Sequence, residues 1–396
     1  MEKIKFLSDY LEVENKTILL RLDLNVPILN NVIQDYTRID LCLPLINNLI
    51  KKNAKIIIVS HLGRPNGKKV PELSLTPIYK YLKKKLKTNI YFFLGAFDKE
   101  FKKKFSYQKP GDVILLENIR YFIEEENNDE EFSKKLASIC DIYVNDAFSC
   151  SHRKQASIHK IVEFAEKSFG GPLLKKEIDS INLVIKNKKK PVTCIIGGSK
   201  ISSKINLITN LLDKIDNLII VGAMANNFFF HKGLDIGDSL VEKNVKETID
   251  KILIEAKLKN CEILIPDDCK IGIKFSGKGK NKKINDVKKN EMILDIGEKT
   301  LEKICDKIDL SKTVLWNGPA GYFENENFKN GTISIAKKIS DNTKNKSLIS
   351  IIGGGDTLSA INRSKEKLFF THLSTAGGAF LEFLEGKDLP GLSVLK

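Results

Sequence analysis

Six arginines stand in this chain of 396 residues, and five of them precede residue 154: Arg21, Arg38, Arg64, Arg120 and Arg153, with Arg363 alone beyond. The other basic residues are 59 lysines. A guanidinium offers a planar, two-pronged fork to a carboxylate or phosphate, whereas an ammonium is a point charge. A chain that uses lysine almost everywhere is therefore expected to keep arginine where the fork matters. Around the arginines lie other polar groups at suggestive spacing. In Arg21-Leu22-Asp23-Leu24-Asn25-Val26-Pro27, period-2 alternation sends Arg21, Asp23 and Asn25 to one side and Leu20, Leu22 and Leu24 to the other. Further candidates are Ser60-His61-Leu62-Gly63-Arg64-Pro65, Glu117-Asn118-Ile119-Arg120, and Asn145-Asp146-Ala147-Phe148 followed by His152-Arg153. With Arg38 opening the helix after the first strand, these segments predict an Arg/His-lined basin for a small phosphorylated and carboxylated ligand.

The second half carries glycine clusters instead: Gly197-Gly198-Ser199-Lys200 before a helix bearing Lys204, then Gly353-Gly354-Gly355-Asp356-Thr357, then Thr375-Ala376-Gly377-Gly378. A strand–glycine–helix junction exposes backbone N–H groups and the positive end of the helix dipole to phosphate. Asp356 beside such a junction is the natural carboxylate for Mg²⁺, with phosphate oxygens and water completing its shell. The chain contains no P-loop, no complete G-x-G-x-x-G, no H-E-x-x-H and no G-x-S-x-G, which disfavours ordinary P-loop and nicotinamide enzymes. The histidines lack metal-site spacing, and His159 and His231 read as structural or surface groups.

The elements that must position these residues alternate strand and helix, the pattern of an α/β protein with largely parallel sheets. Predicted strands are Thr17–Leu24, Lys55–Ser60, Val113–Leu116, Ile142–Val144, Val192–Ile196, Leu218–Val221, Glu262–Ile265, Thr313–Trp316 and Ser347–Ile352. Predicted helices include Arg38–Lys52, Thr76–Leu86, Glu130–Ile139, Ser203–Leu212 and Asn244–Lys259. Gly170-Gly171-Pro172 and the helical stretch after them divide the strands into two groups. The lysine- and glycine-rich run Ser276–Lys283 reads as a solvent loop.

Composition fits this reading. The chain is 42% hydrophobic with a net charge of +15, and its length suits two domains. No apolar run reaches the roughly 18–20 residues that span a bilayer, and no secretory signal opens the chain. Seven scattered cysteines, never spaced Cys-x-x-Cys, read as reduced thiols of a cytoplasmic protein. A nucleic-acid partner is weighed on the charge alone and set aside. The lysine runs, such as Lys83–Lys85, Lys102–Lys104 and Lys188–Lys190, are dispersed without interleaved aromatics.

Taken in order, RLDLNVP, TRID, SHLGRP, LLENIRY, NDAFSCSHR, GGSKISSKI, WNGPAGYFE, GGGDT and THLSTAGGAFLEFLEGKDLPG resemble the phosphoglycerate kinase family along essentially the whole chain. The resemblance implies two doubly wound, Rossmann-like parallel-sheet lobes joined by a hinge helix. It implies a 3-phosphoglycerate-binding domain at 1–169, a hinge helix at 170–190 and a nucleotide-binding domain at 191–379, with a tail at 380–396 returning to the first domain. It also implies reversible Mg²⁺-dependent transfer of a phosphoryl group from 1,3-bisphosphoglycerate to ADP, giving 3-phosphoglycerate and ATP, by a cytoplasmic monomer with no nucleic-acid or membrane partner.

By that resemblance Arg21, Asp23, Asn25, His61, Arg64, Arg120 and Arg153 match the 3-phosphoglycerate positions, and Arg38 the arginine that meets the moving phosphoryl group. Lys200 and Lys204 match the lysines on the nucleotide and transferred phosphates, and Asn317 and Glu324 the nucleotide and ribose contacts. Gly353, Gly354 and Gly355 belong to the nucleotide loop, and Asp356 and Thr357 to the metal and phosphate positions. Arg363 matches no site motif and reads as a surface residue. Four segments depart from the family pattern. Gln155 stands where a second histidine is common, Ser149-Cys150-Ser151 replace a Gly-Thr-Ala-like run, Ser203 replaces an aspartate and Ala376 a glycine. A Cβ at Ala376 or a lost carboxylate at Ser203 is expected to bear on phosphate approach or closure.

Overall fold

The computed structural model describes residues 4–8, 11–95, 105, 107–186, 189–275, 277–364 and 366–395. The predicted run Lys102–Lys104, together with Lys188 and Ser276, lies outside them. The chain divides into two compact units, Met1–Ile178 with Asp388–Lys396, and Asp179–Lys387.

The first unit is built on a six-stranded parallel sheet in the order Ile90–Phe93, Val113–Leu116, Lys55–Val59, Thr17–Arg21, Ile142–Asn145, Ser168–Gly170. Its central strands are short runs of Ile, Leu and Val buried on both faces, as a sheet covered by helices on each side requires. Helix Thr37–Lys51 buries Ile39, Cys42, Ile46 and Leu49 at helical spacing against Ile18, Leu20, Ile56 and Ile58. Strand order reverses at Thr17–Arg21: the chain goes first to Lys55–Val59 on one side of it and later to Ile142–Asn145 on the other, so the crevice beyond its C-terminal end is the topological switch point. Alternation of Leu22 and Leu24 into the core continues past Arg21, but strand pairing stops there. The strand predicted to Leu24 therefore ends three residues early.

The second unit repeats the design with the order Glu262–Leu264, Asn217–Ile220, Val192–Ile196, Thr313–Asn317, Ile349–Gly353, His372–Ser374, all parallel. Numbered along the chain this is 3-2-1-4-5-6, the doubly wound dinucleotide-fold order, with its switch point between Val192–Ile196 and Thr313–Asn317. Trp316, Ile195, Ile219, Ile304 and Ile335 form its core. Against it lies an antiparallel sheet of Lys280–Lys283, Asp268–Gly272 and Met292–Ile296, so part of the predicted solvent loop is an edge strand.

Helix Pro172–Ile185 carries the chain from the first unit into the second. Gly170 and Gly171, which the sequence suggests as flexible points, are tied into the first sheet. Gly170 N donates to Lys5 O and Gly171 N to Asn145 O, each at 2.8 Å, and a Cβ on Gly171 would sit 2.4 Å from the Asp146 carboxyl. Asp146 accepts from Leu174 N at 2.9 Å at the start of this helix, and burial pushes its carboxyl up to about 6. The C-terminal segment groups with the first unit from Asp388 rather than from residue 380. There Gly391 N donates to Ser151 O at 2.8 Å. Helix Gly378–Leu384 stays in the second unit, where Leu384 O accepts from Asn210 Nδ2 at 2.5 Å.

Candidate functional site

In the first unit every predicted polar group lies at the C-terminal edge of the sheet, because the strands are parallel and each motif follows a strand. Arg21 is fully buried: its Nε donates to Ser157 Oγ at 2.9 Å, Nη1 to Leu22 O at 2.6 Å, and Nη2 lies 3.3 Å from His61 Nδ1. Its side chain therefore supports its neighbours rather than lining the opening. A guanidinium can only donate, so His61 Nδ1 accepts and the ring's hydrogen is on Nε2. Burial, and then the charges of Arg21, Arg120, Arg38 and Arg153, hold His61 well below the usual histidine range, so the ring is neutral.

Asp23 is the hub of the next group. Its Oδ2 accepts from Arg38 Nη1 at 2.7 Å and from the Ser149 hydroxyl, and its Oδ1 from Asn25 N at 3.1 Å. Arg38 Nη1 also reaches Asn25 O at 3.1 Å, and the Asn25 side chain accepts from Gly63 N at 3.0 Å. A left-handed Gly63, φ +61°, sets this turn. Asn118 shapes the third segment, capping the short turn that carries Arg120 through its side-chain oxygen and donating to Leu62 O and Leu73 O. Arg120 is held by Gly63 O at 2.8 Å, Gln155 Oε1 at 3.3 Å and an ion pair of 3.1 Å to Glu126. Gln155 in turn donates to Glu126 at 2.6 Å. The glutamine found at the histidine position thus joins Arg120 to its acid. Arg64 is exposed and Arg153 half-buried. Arg153 lies near enough to lower the affinity of His61 and Arg120 for protons.

Asp23, His61 and Cys150 place possible ligand atoms within 4.8 Å of one another, a donor set of the kind that takes a transition metal. Arg21 Nη2, however, already lies against both His61 Nδ1 and Cys150 Sγ, at 3.3 and 3.8 Å, and Arg38 holds Asp23. A dication there would face guanidinium charge at close range, so the cluster belongs to an anion basin.

In the second unit the crevice at the switch point is formed by Gly197-Gly198 on one side and Asn317-Gly318-Pro319 on the other. A Cβ on Gly197 would lie 2.2 Å from Pro319 O, and one on Gly318 would lie 2.3 Å from Gly197 O, so the two loops approach backbone to backbone. Lys204 sits in the single turn Ser202–Lys204, just before helix Ile205–Leu211, so the helix predicted from Ser203 begins two residues later and leaves Lys204 in the turn ahead of it. Its Nζ reaches across to Asn317 Oδ1 at 2.5 Å, and burial holds its ammonium below the usual lysine range. Asn317 is buried and its amide nitrogen has no protein partner among the described residues. Gly354 is left-handed at φ +101°, and Thr357 Oγ1, buried beneath it, accepts from Gly318 N at 2.7 Å. No atom stands within 4 Å of a Cβ placed on Gly355, so the start of helix Gly355–Asn362 is open.

Lys200, Asp356 and Glu324 are exposed around this crevice. Asp356 and Glu324 line one cavity of about 240 Å³ with Gly198, Phe229, Met292, Leu294 and Pro319. An apolar, aromatic wall with a few polar groups at its rim suits a planar heterocycle carrying phosphates. Phe229, Leu240 and Met292 were invisible as site residues, since apolar side chains give no chemical signal in sequence. Arg363 is exposed, as read, yet its guanidinium lies 5.3 Å over the Phe323 ring and 3.4 Å from Glu324 O, bracing the loop that presents Glu324. His159 pairs with Asn128 and His231 with Asp250, as structural groups. Ala376 is not among the left-handed residues, so its Cβ imposes no backbone strain, and among the described residues the Ser203 hydroxyl donates to Lys200 O at 2.9 Å.

The model of one family, phosphoglycerate kinase, matches residues 7–387. The chain belongs to the phosphoglycerate kinase family. It is 40% identical to the phosphoglycerate kinase of Chelativorans sp. (strain BNC1), covering 100% of both chains, and 43% identical to that of Wolbachia pipientis subsp. Culex pipiens (strain wPip), covering 96% of each. The solved structure of phosphoglycerate kinase from Coxiella burnetii superposes with a TM-score of 0.87 at 38% identity, covering 98% of both chains. That from Pyrococcus horikoshii OT3 gives 0.80 at 28% identity with the same coverage. As a member of this family the chain is a phosphotransferase, a kinase of glycolysis, and the resemblance carried by its motifs holds.

Proposed function

We propose that the arginine basin of the first unit binds 3-phosphoglycerate or 1,3-bisphosphoglycerate, that the crevice of the second binds ADP or ATP, and that a phosphoryl group passes directly between them. The observation that carries this reading is the pairing of two different anion sites at two sheet switch points: forked donors in one, backbone N–H groups with Lys204 and Asn317 in the other.

Arg38 has 29% of its side chain exposed, whereas Arg21 is sealed beneath. Arg38 is therefore the arginine placed to follow charge onto the transferring group, with Lys204 and Lys200 opposing it from the nucleotide side. Arg64, Arg120, Arg153, Asn25 and the His61 Nε2–H bind the phosphoglycerate. Neither direction needs a general base, since the attacking atom is an ionised carboxylate or phosphate oxygen. Transfer in line needs the two ligands end to end, so closure of the units, which excludes water, is part of this proposal.

Asp356 fits Mg²⁺. It is an exposed carboxylate beside the open start of a helix, and Mg²⁺ takes one or two protein carboxylates while keeping water and phosphate oxygens. When bound, the ion would neutralise nucleotide phosphate charge. The same reading makes the chain a cytoplasmic, hinge-bending monomer whose partners are small molecules. Among the described residues no helix is long and apolar enough to cross a membrane, and all seven cysteines are free.

The deciding experiment is a coupled assay of transfer from ATP with Mg²⁺ to 3-phosphoglycerate, with Asp356→Ala as the control. Robust turnover that falls about 100-fold or more in the variant supports the proposal. Folded protein without turnover sinks it.

A further inference from the structure

We propose that Glu125, acting through Ser157 and Arg21, is the positioning residue that locks His61 into the Nε2–H form, making the ring a neutral donor to the anion in the basin. This inference rests on the reading of that basin as the 3-phosphoglycerate site.

Glu125 stands in the short helix Ile123–Glu126 and is fully buried. A buried carboxylate needs compensation, and here all the compensation runs in one direction. Its two oxygens accept from Ser157 N at 2.7 Å and from Ser157 Oγ at 2.6 Å. The serine hydroxyl has one hydrogen, which goes to Glu125. Its lone pair is therefore what meets Arg21 Nε at 2.9 Å. Arg21 is then fixed at its second edge by Leu22 O at 2.6 Å, and its remaining prong, Nη2, faces His61 Nδ1 at 3.3 Å. A guanidinium has only donors, so His61 Nδ1 accepts wherever Nη2 faces it, and what Glu125 supplies through Ser157 is the fixed orientation of the fork that keeps Nη2 there. Without the Ser157 acceptor, Nε would be unpaired and the guanidinium would keep only its bond to Leu22 O, one of the two anchors that aim Nη2 at the ring.

The relay also supplies charge balance. Arg21 is buried without a direct carboxylate partner among the bonds that hold it, and Glu125 is the acid behind the bridging serine. The charge of Arg21 in turn pulls the Glu125 carboxyl down against the burial that pushes it up. His61 Nε2 has no protein partner among the described residues, which leaves the donor for an incoming anion. The acid lies only five residues beyond Arg120 in a run of three glutamates, Glu124–Glu126, of which Glu125 is fully buried. Glu126, next to it, backs Arg120 directly at 3.1 Å. One short helix thus serves two of the basin's arginines.

The test uses the full-length enzyme labelled with ¹⁵N-histidine, as wild type, Ser157→Ala and Glu125→Gln. Two readouts are compared: the ring-nitrogen resonances of His61, and the KM values for 3-phosphoglycerate and ATP. Wild type is expected to show His61 solely as the Nε2–H tautomer. Ser157→Ala, with folding checked by circular dichroism, is expected to mix the two tautomers. It should raise the 3-phosphoglycerate KM about tenfold with the ATP KM unchanged within about twofold. Glu125→Gln is expected to move both readouts the same way wherever it folds. If His61 stays purely Nε2–H in folded Ser157→Ala, the relay is overturned. If the tautomer shifts while the 3-phosphoglycerate KM does not, the relay stands and the reading of the basin as the phosphoglycerate site falls.

Discussion

Lys204 Nζ lies 2.5 Å from Asn317 Oδ1, joining the two loops that flank the switch point of the second sheet. One end of the Asn317 amide is thereby committed to a lysine, and the other, its buried nitrogen, points past Gly354 without a partner among the described residues. Asn317→Ala should release the lysine and remove the donor together. The expected outcome is an ATP KM raised about tenfold with the 3-phosphoglycerate KM unchanged, read from initial rates. Equal effects on both substrates would place Asn317 in general stability instead.

Arg38 offers a sharper separation of binding from chemistry. Since Arg21, Arg120 and Arg153 hold the basin's charge without it, Arg38→Ala should leave 3-phosphoglycerate binding within a few-fold by calorimetry. It should lower kcat by about 10²–10³-fold, the usual effect of deleting one preorganised donor to a transition state. A variant with near-normal kcat would show that another group meets the moving phosphoryl.

Two adjacent glycines should fail in different ways. At Gly354 the backbone is left-handed, φ +101°, and a Cβ would stand 2.8 Å from Asn317 Nδ2. Gly354→Ala is expected to cost about 1–3 kcal/mol and lower Tm. Gly355 has open space where its Cβ would go, so Gly355→Ala should keep Tm and yet raise the nucleotide KM by crowding phosphate at the helix start. Calorimetric Tm and initial rates on the pair decide it, and matching behaviour would refute the phosphate-loop assignment.

Asp295 predicts a pH dependence of stability. It is 2% exposed, its carboxyl accepts from Gly331 N and Ile296 N at 2.9 Å each, and burial pushes its pKa up to about 7 from 3.8. Between those two values the folded chain keeps a proton that the unfolded chain has released. Its contribution is therefore full below about pH 4 and is lost as pH rises through about 7, by up to about 1.4 kcal/mol per pH unit. His61, held low, contributes in the opposite sense, so the comparison is with Asp295→Asn. The wild-type advantage in urea unfolding free energy should shrink from pH 5 to pH 7. A difference independent of pH would contradict the raised pKa.

How much of this was legible in the sequence depended on whether one local signal sufficed. Val113–Leu116 and Val192–Ile196 were bounded correctly because central parallel strands are uninterrupted apolar runs. Lys280–Lys283 pairs with Asp268–Gly272, yet as Lys-Asn-Lys-Lys it has no apolar face, and only its partner makes it a strand. Ser168–Gly170 and His372–Ser374 are three-residue edge strands whose existence depends on a neighbour. The hairpin Ile28–Leu29 with Val32–Ile33 turns on Asn30 and Asn31, both left-handed, a signal present in the sequence and overlooked.

Within the site, the residues proposed to touch an anion were reached through charge, strand-end position and the family motifs. Those that hold them were not. Glu125 and Gln155 reach Arg21 and Arg120 across 30 or more positions of chain by tertiary packing, and Ser149 meets Asp23 across 126. Arg21 was read as a ligand contact from its alternation with Asp23 and Asn25 and from the family resemblance, whereas its full burial against Ser157 and Leu22 is a tertiary fact that no local pattern carries.

A fully buried guanidinium beneath a neutral imidazole has a consequence for how this enzyme senses acidity. Guanidinium groups keep their charge throughout any range in which the fold survives, and His61 is already uncharged. Under the proposed binding of 3-phosphoglycerate, the Arg21–His61 pair is thus electrically constant near neutrality, and the ligand is the partner that titrates. A phosphate monoester changes from one to two negative charges around pH 6, so the curve of affinity against pH should trace the metabolite's own ionisation.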